Sequence, residues 1–250
     1  MIPSNYFYKN KNFLTQTNYS TCYHLGTIFR KFFNNPICEY IEREIKYSNI
    51  VYNYEVPTPK FLDYGYSSRY NKHYIDFEYI MLETFQDKND YSCEVIKKVL
   101  DIINKINSIK PMHKDDFWNE NRMSDFLKTL NIANEVLSGS TDIDMSILKK
   151  LPCDNIIHGD LTETNVCFRD QDVYIVDFES ACIGPKIWDK CYFFASVFTN
   201  NIPDYIYSFI TEEELHVIQI IAKIRYGRAL RKQLRVDERA KGVGLWVSMG

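Results

Sequence analysis

Two kinds of hydrophobic spacing divide the chain. In the first 85 residues, short runs rich in β-branched and aromatic side chains show the partial alternation of half-buried strands. Residues 18–23 and 27–33 are two such runs joined near Gly26, which predicts a hairpin. The prolines of residues 56–65 indicate extended backbone, and residues 77–85 predict a further strand.

Helical spacing appears once in this part and then dominates the second half. Ile37, Ile41 and Ile45 repeat every four residues after Pro36, which predicts a helix beginning at residue 36 or 37. A second helical stripe ends before Pro111 and consists of Val95, Val99, Ile102, Ile103, Ile106 and Ile109. Further helices are predicted over residues 122–137, from near Lys190, and from a capping box at Thr211 and Glu214 to about residue 235, with a loop over residues 138–144.

A second predicted hairpin carries the most informative residues. Residues 165–168 and 173–176 are short apolar runs separated by a polar turn. A hairpin returns the chain to its starting end, so Asn165 and Asp177 are expected to lie side by side. Asp160 stands just ahead of the hairpin on a loop opened by Gly159. Three side chains with oxygen atoms are therefore expected around one point.

The spacing of these residues predicts phosphoryl transfer. His158, Asp160 and Asn165 read H-x-D-x-x-x-x-N, and Asp177 follows in V-D-F-E. In the kinase arrangement the first Asp lies beside the acceptor hydroxyl, the Asn and the later Asp hold Mg²⁺ on the nucleotide phosphates, and the His braces the loop. Oxygen ligands suit Mg²⁺. The competing interpretation is that Asp160 and Asp177 only cap a loop and a turn.

These motifs, together with G-P-K-I-W-D at residues 184–189, resemble the aminoglycoside phosphotransferase and choline kinase superfamily. The resemblance implies an α+β, bilobal, protein-kinase-like fold, with a nucleotide-binding lobe over residues 1–85 and a catalytic and substrate-binding lobe over residues 86–250. It also implies Mg²⁺, ATP or GTP as co-substrate, and a structural role for Asp189 in hydrogen-bonding the catalytic loop. An N-cap for the helix near Lys190 is the alternative for Asp189.

The same resemblance implies a basic residue on the strand of residues 27–33. Strand alternation puts Arg30 and Lys31 on opposite faces and does not choose between them. The family register favours Arg30. On the following helix, Glu44 falls inside the apolar stripe and needs a partner, so we predict an ion pair between Arg30 and Glu44. The alternatives are solvated charges on the strand and a surface pair for Glu44.

The resemblance further implies a nucleotide-binding segment after the strand of residues 77–85. Backbone groups near Glu83 and Phe85 would contact the base, with Met81 behind it; alternatively, Met81 is simply a core residue. Gly26 is the only glycine before residue 65, so close backbone approach to phosphate is in doubt at the first hairpin. Hydroxyls of Thr15, Thr17 and Ser20 are candidate substitutes.

The amino-acid composition limits the classes of binding partner that the sequence supports. The net charge is −3, from 30 Lys and Arg against 33 Asp and Glu, which gives no electrostatic case for nucleic acid or an acidic membrane. The arginines of the last predicted helix are interpreted as a solvated face. Seven scattered cysteines without a C-x-x-C pair, and no apolar run long enough to cross a bilayer, predict a cytoplasmic protein.

The acceptor is predicted to be a small, amine-bearing molecule such as an aminoglycoside or other antibiotic. One alternative is a choline, ethanolamine or other metabolite kinase of the same superfamily. A second alternative, from a different functional class, is a pseudokinase that binds nucleotide as a regulatory module. Acidic residues that could receive an amine are Glu179, Asp204 and Glu212 to Glu214. Trp188 and Tyr192 are interpreted as core rather than as a stacking platform.

Overall fold

The structure is a computed structural model that describes residues 13–16, 20–34, 38–111, 146–198, 202–226 and 229. The predicted helix over 122–137, the loop over 138–144, Thr17, and the basic residues from Arg228 onward lie outside these residues.

A five-stranded antiparallel sheet forms the N-terminal part, with the strand order β1-β2-β3-β5-β4. The predicted first hairpin is confirmed in its described residues, and its turn places Gly26 at φ +71°, a backbone conformation that glycine adopts without strain. The strands are β1 (Phe13–Gln16), β2 (Ser20–Leu25), β3 (Ile28–Phe33), β4 (Phe61–Ser67) and β5 (Lys72–Glu78).

The strand predicted over residues 77–85 is wrong in its extent. Strand β5 ends at Glu78, opposite Ile28 of β3, and residues 79–82 have no regular secondary structure. The backbone N–H of Tyr79 donates to the carbonyl of Thr27 at 2.9 Å. Because β3 begins directly after the turn at Gly26, a longer β5 would have no strand to pair with, so the chain leaves the sheet there.

Helix α1 (Cys38–Asn53) packs its apolar stripe on one face of this sheet. Ile41 of the helix forms a buried cluster with Phe33, Ile75 and Phe77, and Ile45 packs against the same cluster. The helix thereby covers the face of β3 that carries Phe29, Lys31 and Phe33, since strand residues alternate between faces.

The second half combines helices with two small antiparallel ladders. The predicted catalytic hairpin is confirmed, and its tight turn holds Asp170 at φ 55°. The ladders consist of β6 (Glu83–Thr84), β8 (Val166–Arg169) and β9 (Asp172–Ile175) in one sheet, and of β7 (Cys153–Ile157) and β10 (Cys182–Pro185) in the other.

The helices of this half are mostly where the spacing predicts them. Helix α3 ends at Ser108, shortly before Pro111. The predicted capping box opens the last helix, because the N–H of Thr211 donates to Glu214 at 2.8 Å and the N–H of Glu214 donates to the Thr211 hydroxyl at 3.2 Å. The described helices are α2 (Phe85–Lys88), α3 (Cys93–Ser108), α4 (Ser146–Lys150), α5 (Trp188–Val197) and α6 over 212–226.

One large hydrophobic cluster extends across the predicted lobe boundary. Tyr47, Val51 and Val56 come from the first 85 residues, yet they belong to the same buried cluster as the core of the second half. The division between residues 85 and 86 stays a prediction. Within the described residues, no helix has the length and apolar character needed to cross a bilayer.

Candidate active site

Asp189 hydrogen-bonds the backbone at the start of the loop of residues 158–165, which we call the catalytic loop. This carboxylate is fully buried and accepts the backbone N–H groups of His158 at 2.7 Å and of Gly159 at 2.9 Å. The N-cap position of α5 belongs to Ile187, so the alternative role of Asp189 as that cap is excluded. Burial raises the pKa of Asp189, although His158 and the two N–H groups act in the opposite direction.

His158 connects the start of this loop to the end of β9. Its ring is buried, and Nε2 lies 2.9 Å from the carbonyl oxygen of Val176. Nδ1 lies 3.4 Å from the backbone nitrogen of Asp160. A ring that donates from Nε2 and accepts at Nδ1 satisfies both contacts. The position agrees with a bracing role and keeps His158 out of solvent.

Asn165 and Asp177 lie together on the wall of a cavity of about 540 Å³. The Asn165 amide nitrogen donates to the carbonyl of Asp160 at 2.9 Å, so its amide oxygen is the atom available to a cation. Asp177 lies just beyond β9, after Val176, and has φ 70° and ψ 66°, a left-handed conformation that is uncommon for residues other than glycine. The hairpin therefore brings Asn165 and Asp177 to one cavity wall, and the Asn165 amide contacts the backbone of Asp160.

Lys31 is the basic residue that reaches this site. Its ammonium donates to Glu44 at 2.9 Å, to Asp177 at 2.8 Å and to Glu179 at 3.1 Å. We call these four residues the Lys31 cluster. Burial alone would lower the pKa of Lys31, but the charges of Asp177, Glu44 and Glu179 outweigh burial and hold it well above its usual range. The lysine is therefore charged and links β3 to the residues after β9.

The three carboxylates of the cluster differ in their protonation. Burial raises the pKa of Glu44 to about 7, even though Lys31 opposes the change. For Asp177, burial acts upward, but the charge and hydrogen bond of Lys31 prevail and the pKa is lowered. Burial and the neighbouring charge of Asp177 raise the pKa of Glu179. Asp177 is thus the most acidic member and remains an anion.

The predicted ion pair between Arg30 and Glu44 is wrong, because Lys31 occupies the covered face of β3. Arg30 points to the opposite face, where Nε and Nη2 donate to the two carboxylate oxygens of Asp76 at 2.7 and 2.6 Å. Its guanidinium also lies 4.0 Å from the ring centroid of Tyr74. Arg30 is therefore paired with Asp76 within the sheet, and Glu44 is paired with Lys31.

A sequence signal for this choice lies in β5. Asp76 stands between Ile75 and Phe77, which are buried beneath α1 together with Phe33. An acid between two core residues of a strand points to the opposite face and needs a basic partner there. Arg30 is opposite Asp76 in the strand register, so this pairing leaves Lys31 for the face covered by the helix.

The predicted base-contacting segment lies partly on the cavity wall. Tyr79, Ile80, Met81, Leu82 and Thr84 line the cavity, whereas Phe85 does not. Phe85 is fully buried, and its carbonyl accepts the N–H of Asn89 at the end of α2. The physical reason is the early end of β5, which moves the connecting segment toward residue 79.

The remaining members of this segment have different environments. Glu83 pairs with Phe168 in the β6–β8 ladder and is not a wall residue. Met81 lines the cavity and is 80% exposed, so the alternative interpretation as a core residue is wrong. Tyr79 is fixed by stacking on His24, with ring centroids 3.6 Å apart.

The other polar candidates differ in their positions. Thr15 and Ser20 line the cavity, in keeping with a role near the phosphates. Cys22 and Cys167 also line it, but burial raises the pKa of each thiol to about 12, so both remain protonated at neutral pH. Neither thiol is a candidate nucleophile.

Of the acids considered for an acceptor amine, only Glu179 belongs to the described cluster. Glu214 is buried and bonds Lys190 at 2.7 Å, which is a structural role. Asp204 lies at the start of a short 3₁₀ helix. Trp188 and Tyr192 are buried, as predicted for core residues.

Asn165 and Asp177 offer the kind of oxygen atoms that suit a magnesium ion. Oxygen atoms of Glu44, Asp177 and Glu179 also lie within 4.8 Å of one another, but they surround the Lys31 ammonium, which donates to all three. Asn165 adds an amide oxygen on the same cavity wall as Asp177. Carboxylate and amide oxygens are hard ligands, which is the chemistry that Mg²⁺ requires.

Comparison with known proteins gives one family match. The family model described as "Phosphotransferase enzyme family" matches residues 26–214, which include every residue of the Lys31 cluster and the catalytic loop. A search of curated proteins by sequence gives no significant match.

Solved structures with similar folds are numerous. The GDP complex of wild-type aminoglycoside 2'-phosphotransferase-IIIa matches with a TM-score of 0.67 and 11% identity over 92% of this chain and 87% of that chain. The streptomycin-ATP-APH(2")-IIa ternary complex matches with 0.55 and 15% over 91% and 86%. A choline/ethanolamine kinase family protein from Mesorhizobium loti matches with 0.52 and 13% over 88% and 72%. These similarities confirm the predicted α+β, kinase-like fold.

Proposed function

Because the chain belongs to the phosphotransferase enzyme family, we propose that it is a small-molecule kinase that transfers the γ-phosphoryl group of ATP or GTP to a hydroxyl group. The observation that carries the proposal is the convergence of Lys31, Asn165 and Asp177 on one cavity. Asp160 is tied to the same point through the Asn165 amide. A cation, two metal-ligand candidates and a carboxylate base are the groups that phosphoryl transfer needs.

The residues of the cavity would divide the work of binding the nucleotide. The base would lie along residues 79–82, and the phosphates would extend toward Lys31. Asn165 and Asp177 would hold Mg²⁺, which neutralises charge on the phosphate oxygens when it is bound. Lys31 contributes a fixed positive charge beside them. Transfer then depends on positioning and on electrostatic stabilisation rather than on covalent chemistry by the protein.

Asp160 would receive the acceptor. Its carboxylate would orient the acceptor hydroxyl in line with the γ-phosphate and take the hydroxyl proton as the new O–P bond forms and the bond to the leaving diphosphate breaks. His158 and Asp189 hold the loop and do not contact the reacting atoms in this scheme. Their hydrogen bonds fix the backbone on both sides of Gly159, which positions Asp160.

The acidic residues around Asp160 favour an amine-bearing acceptor. Asp160 lies close enough to Glu179 to help raise its pKa, after burial and Asp177. Such a concentration of negative charge attracts an ammonium group. The similar structures include proteins in complex with kanamycin and streptomycin, and also a choline/ethanolamine kinase family protein. Aminoglycosides and other antibiotics are our first candidates, with choline, ethanolamine and related metabolites second.

Because ATP and GTP are co-substrates of the cell interior, the proposed activity also places the protein in the cytoplasm.

The test is phosphate transfer from ATP and from GTP, with Mg²⁺, to a panel of aminoglycosides, choline, ethanolamine and amino sugars. A mass gain of one phosphoryl group on an acceptor is the expected result. Asp160→Asn should lower turnover by roughly 10² to 10⁴, the range for a positioned base, with little change in nucleotide affinity. Loss of nucleotide affinity in this variant would instead assign Asp160 a structural role.

A matched control is available on the same hairpin. Asp172 is exposed at the start of β9, so Asp172→Asn removes one carboxylate without touching the cavity. It should retain wild-type turnover. A wild-type protein that binds nucleotide but phosphorylates no member of the panel would contradict the proposed acceptor class.

A further inference from the structure

The hydrogen-bonding capacity of Lys31 is fully used. An ammonium group has three N–H donors, and Lys31 has three carboxylate acceptors at 2.8 to 3.1 Å. All three acceptors come from the protein itself. A phosphate oxygen can therefore become a hydrogen-bond acceptor of Lys31 only if one of these carboxylates is released.

The three acceptors differ in the cost of release. The Glu44 side chain is 3% exposed, and without Lys31 its charge would be buried and uncompensated. Asp177 has a side chain of similar exposure, 38%, but it makes the shortest contact and lies on the cavity wall with Asn165, where its charge is needed for the proposed Mg²⁺. Glu179 makes the longest contact, and its side chain is 32% exposed, so water can solvate it once it is released.

We propose that the nucleotide phosphates replace Glu179 as the third acceptor of Lys31, so that Glu179 is an internal competitor that weakens nucleotide binding. The proposal rests on the proposed function, because it requires the cavity to bind a nucleotide. In the nucleotide-free protein Glu179 keeps the lysine neutralised. In the complex it turns to solvent, while Glu44 continues to hold Lys31 in place.

If Glu179 competes with the nucleotide, its removal should raise the affinity for nucleotide. If Glu179 supports binding, its removal should lower that affinity. If a contact must break before the nucleotide binds, the apparent Kd equals the intrinsic Kd divided by the fraction of molecules in which that contact is already broken. Glu179→Gln removes the charge and nearly preserves the shape. We expect the Kd for ATP or GTP to fall roughly two- to fivefold, the range that one partly exposed ion pair contributes. Glu179→Ala should lower it at least as far.

The experiment is titration calorimetry of wild type and variants with ATP and GTP in excess EDTA, so that no divalent cation takes part. Glu42→Gln is the matched control, because Glu42 is an exposed acid on the same helix as Glu44 and its loss changes the net charge equally. This control should bind like wild type. Thermal unfolding of each variant establishes that it is folded.

A double-mutant cycle tests whether the effect passes through Lys31. In a Lys31→Met background, Glu179→Gln should leave the Kd unchanged. A gain that persists there would mean simple repulsion of the anionic nucleotide and would overturn the proposal. Unchanged or weaker binding by Glu179→Gln alone overturns it as well. If wild type binds neither nucleotide, with or without Mg²⁺, the proposed function itself fails.

Discussion

The catalytic loop and the Lys31 cluster meet at one cavity, yet they are held together in different ways. The loop is fixed mainly by backbone groups, since Asp189 accepts two N–H groups and His158 contacts the carbonyl of Val176. The Lys31 cluster is held by side chains alone. Its members come from β3, from α1 and from the residues after β9.

This difference shows which contacts can change during function. Backbone hydrogen bonds around a buried carboxylate leave no partner for a ligand and define one geometry. Ammonium and carboxylate groups at the edge of a cavity can exchange one partner for another, because phosphate offers the same chemistry as a carboxylate. In the proposed function, the loop would position the reacting groups and the cluster would respond to the nucleotide.

The largest expected effect on activity comes from replacing Lys31, the residue that joins the three carboxylates of the cluster. Lys31→Met should lower kcat/KM for the nucleotide by roughly 10² to 10³, the usual loss for one donor to developing charge. Arg30→Met is the matched control, because it removes the neighbouring charge on the other face of β3. Steady-state kinetics with varied nucleotide would measure both variants.

Arg30→Met should keep its activity and lose stability instead. Asp76 is buried and would be left without its partner, which costs about 1 to 3 kcal/mol. Urea unfolding measures this cost. If Arg30→Met lost activity while Lys31→Met retained it, the assignment of the two faces would be reversed.

A smaller effect is expected from breaking the support of the loop. Asp189→Asn can accept one backbone N–H but offers an amide N–H₂ where the second acceptor stood, so one buried donor loses its partner. We expect a loss of about 1 to 3 kcal/mol in the free energy of unfolding. Asp101→Asn, on the exposed face of α3, is the control and should unfold like wild type. Equal urea midpoints for the two variants would show that Asp189 does not stabilise the catalytic loop.

The smallest effect concerns the dependence of stability on pH. The usual pKa of Glu44 is 4.5, and burial raises it to about 7 in the folded protein. Between these values the folded state keeps a proton that the unfolded chain releases, so stability falls as pH rises through this window. Glu44→Gln stays neutral and should lack this slope, which is at most about 1.4 kcal/mol per pH unit.

Comparing the slope of stability against pH in wild type and in Glu44→Gln separates the contribution of Glu44 from that of its neighbours. Asp177, whose pKa is lowered by Lys31 despite burial, acts in the opposite direction: it stabilises above its unfolded pKa, and this contribution is lost as pH falls through the folded value. Urea unfolding of wild type and Glu44→Gln at a series of pH values from 4.5 to 8 would measure the difference. Parallel curves would show that Glu44 does not hold a proton in the folded protein.

The sequence predicts the loop better than the cluster, for a physical reason. Asp160, Asn165 and Asp177 are joined by a hairpin whose turn and apolar runs are local, so their spacing determines where they meet. The choice between Arg30 and Lys31 depends on which face of β3 is covered by α1, and alternation leaves the two faces equivalent. Only the buried strand β5, with Asp76 opposite Arg30, breaks that equivalence.

The local residue pattern also could not predict where strand β5 ends and the segment toward the second half begins. Residues 77–85 have the composition of a strand, but β5 stops at Glu78 because its partner β3 begins at Ile28. Pairing between strands distant in sequence sets this limit, and no property of the segment itself reveals it. The cavity is consequently lined by residues 79–82 and not by Phe85.

The Lys31 cluster also bears on how the chain is made. Lys31 and Glu44 are 13 residues apart, whereas Lys31 and Asp177 are 146 residues apart. At synthesis rates of roughly 5 to 20 residues per second, about 7 to 30 s pass on the ribosome between the addition of Lys31 and that of Asp177. During that time Glu44 is the member of the cluster that can neutralise the lysine. The pair between β3 and α1 is therefore the part of the cluster whose two members are made first, long before Asp177 and Glu179.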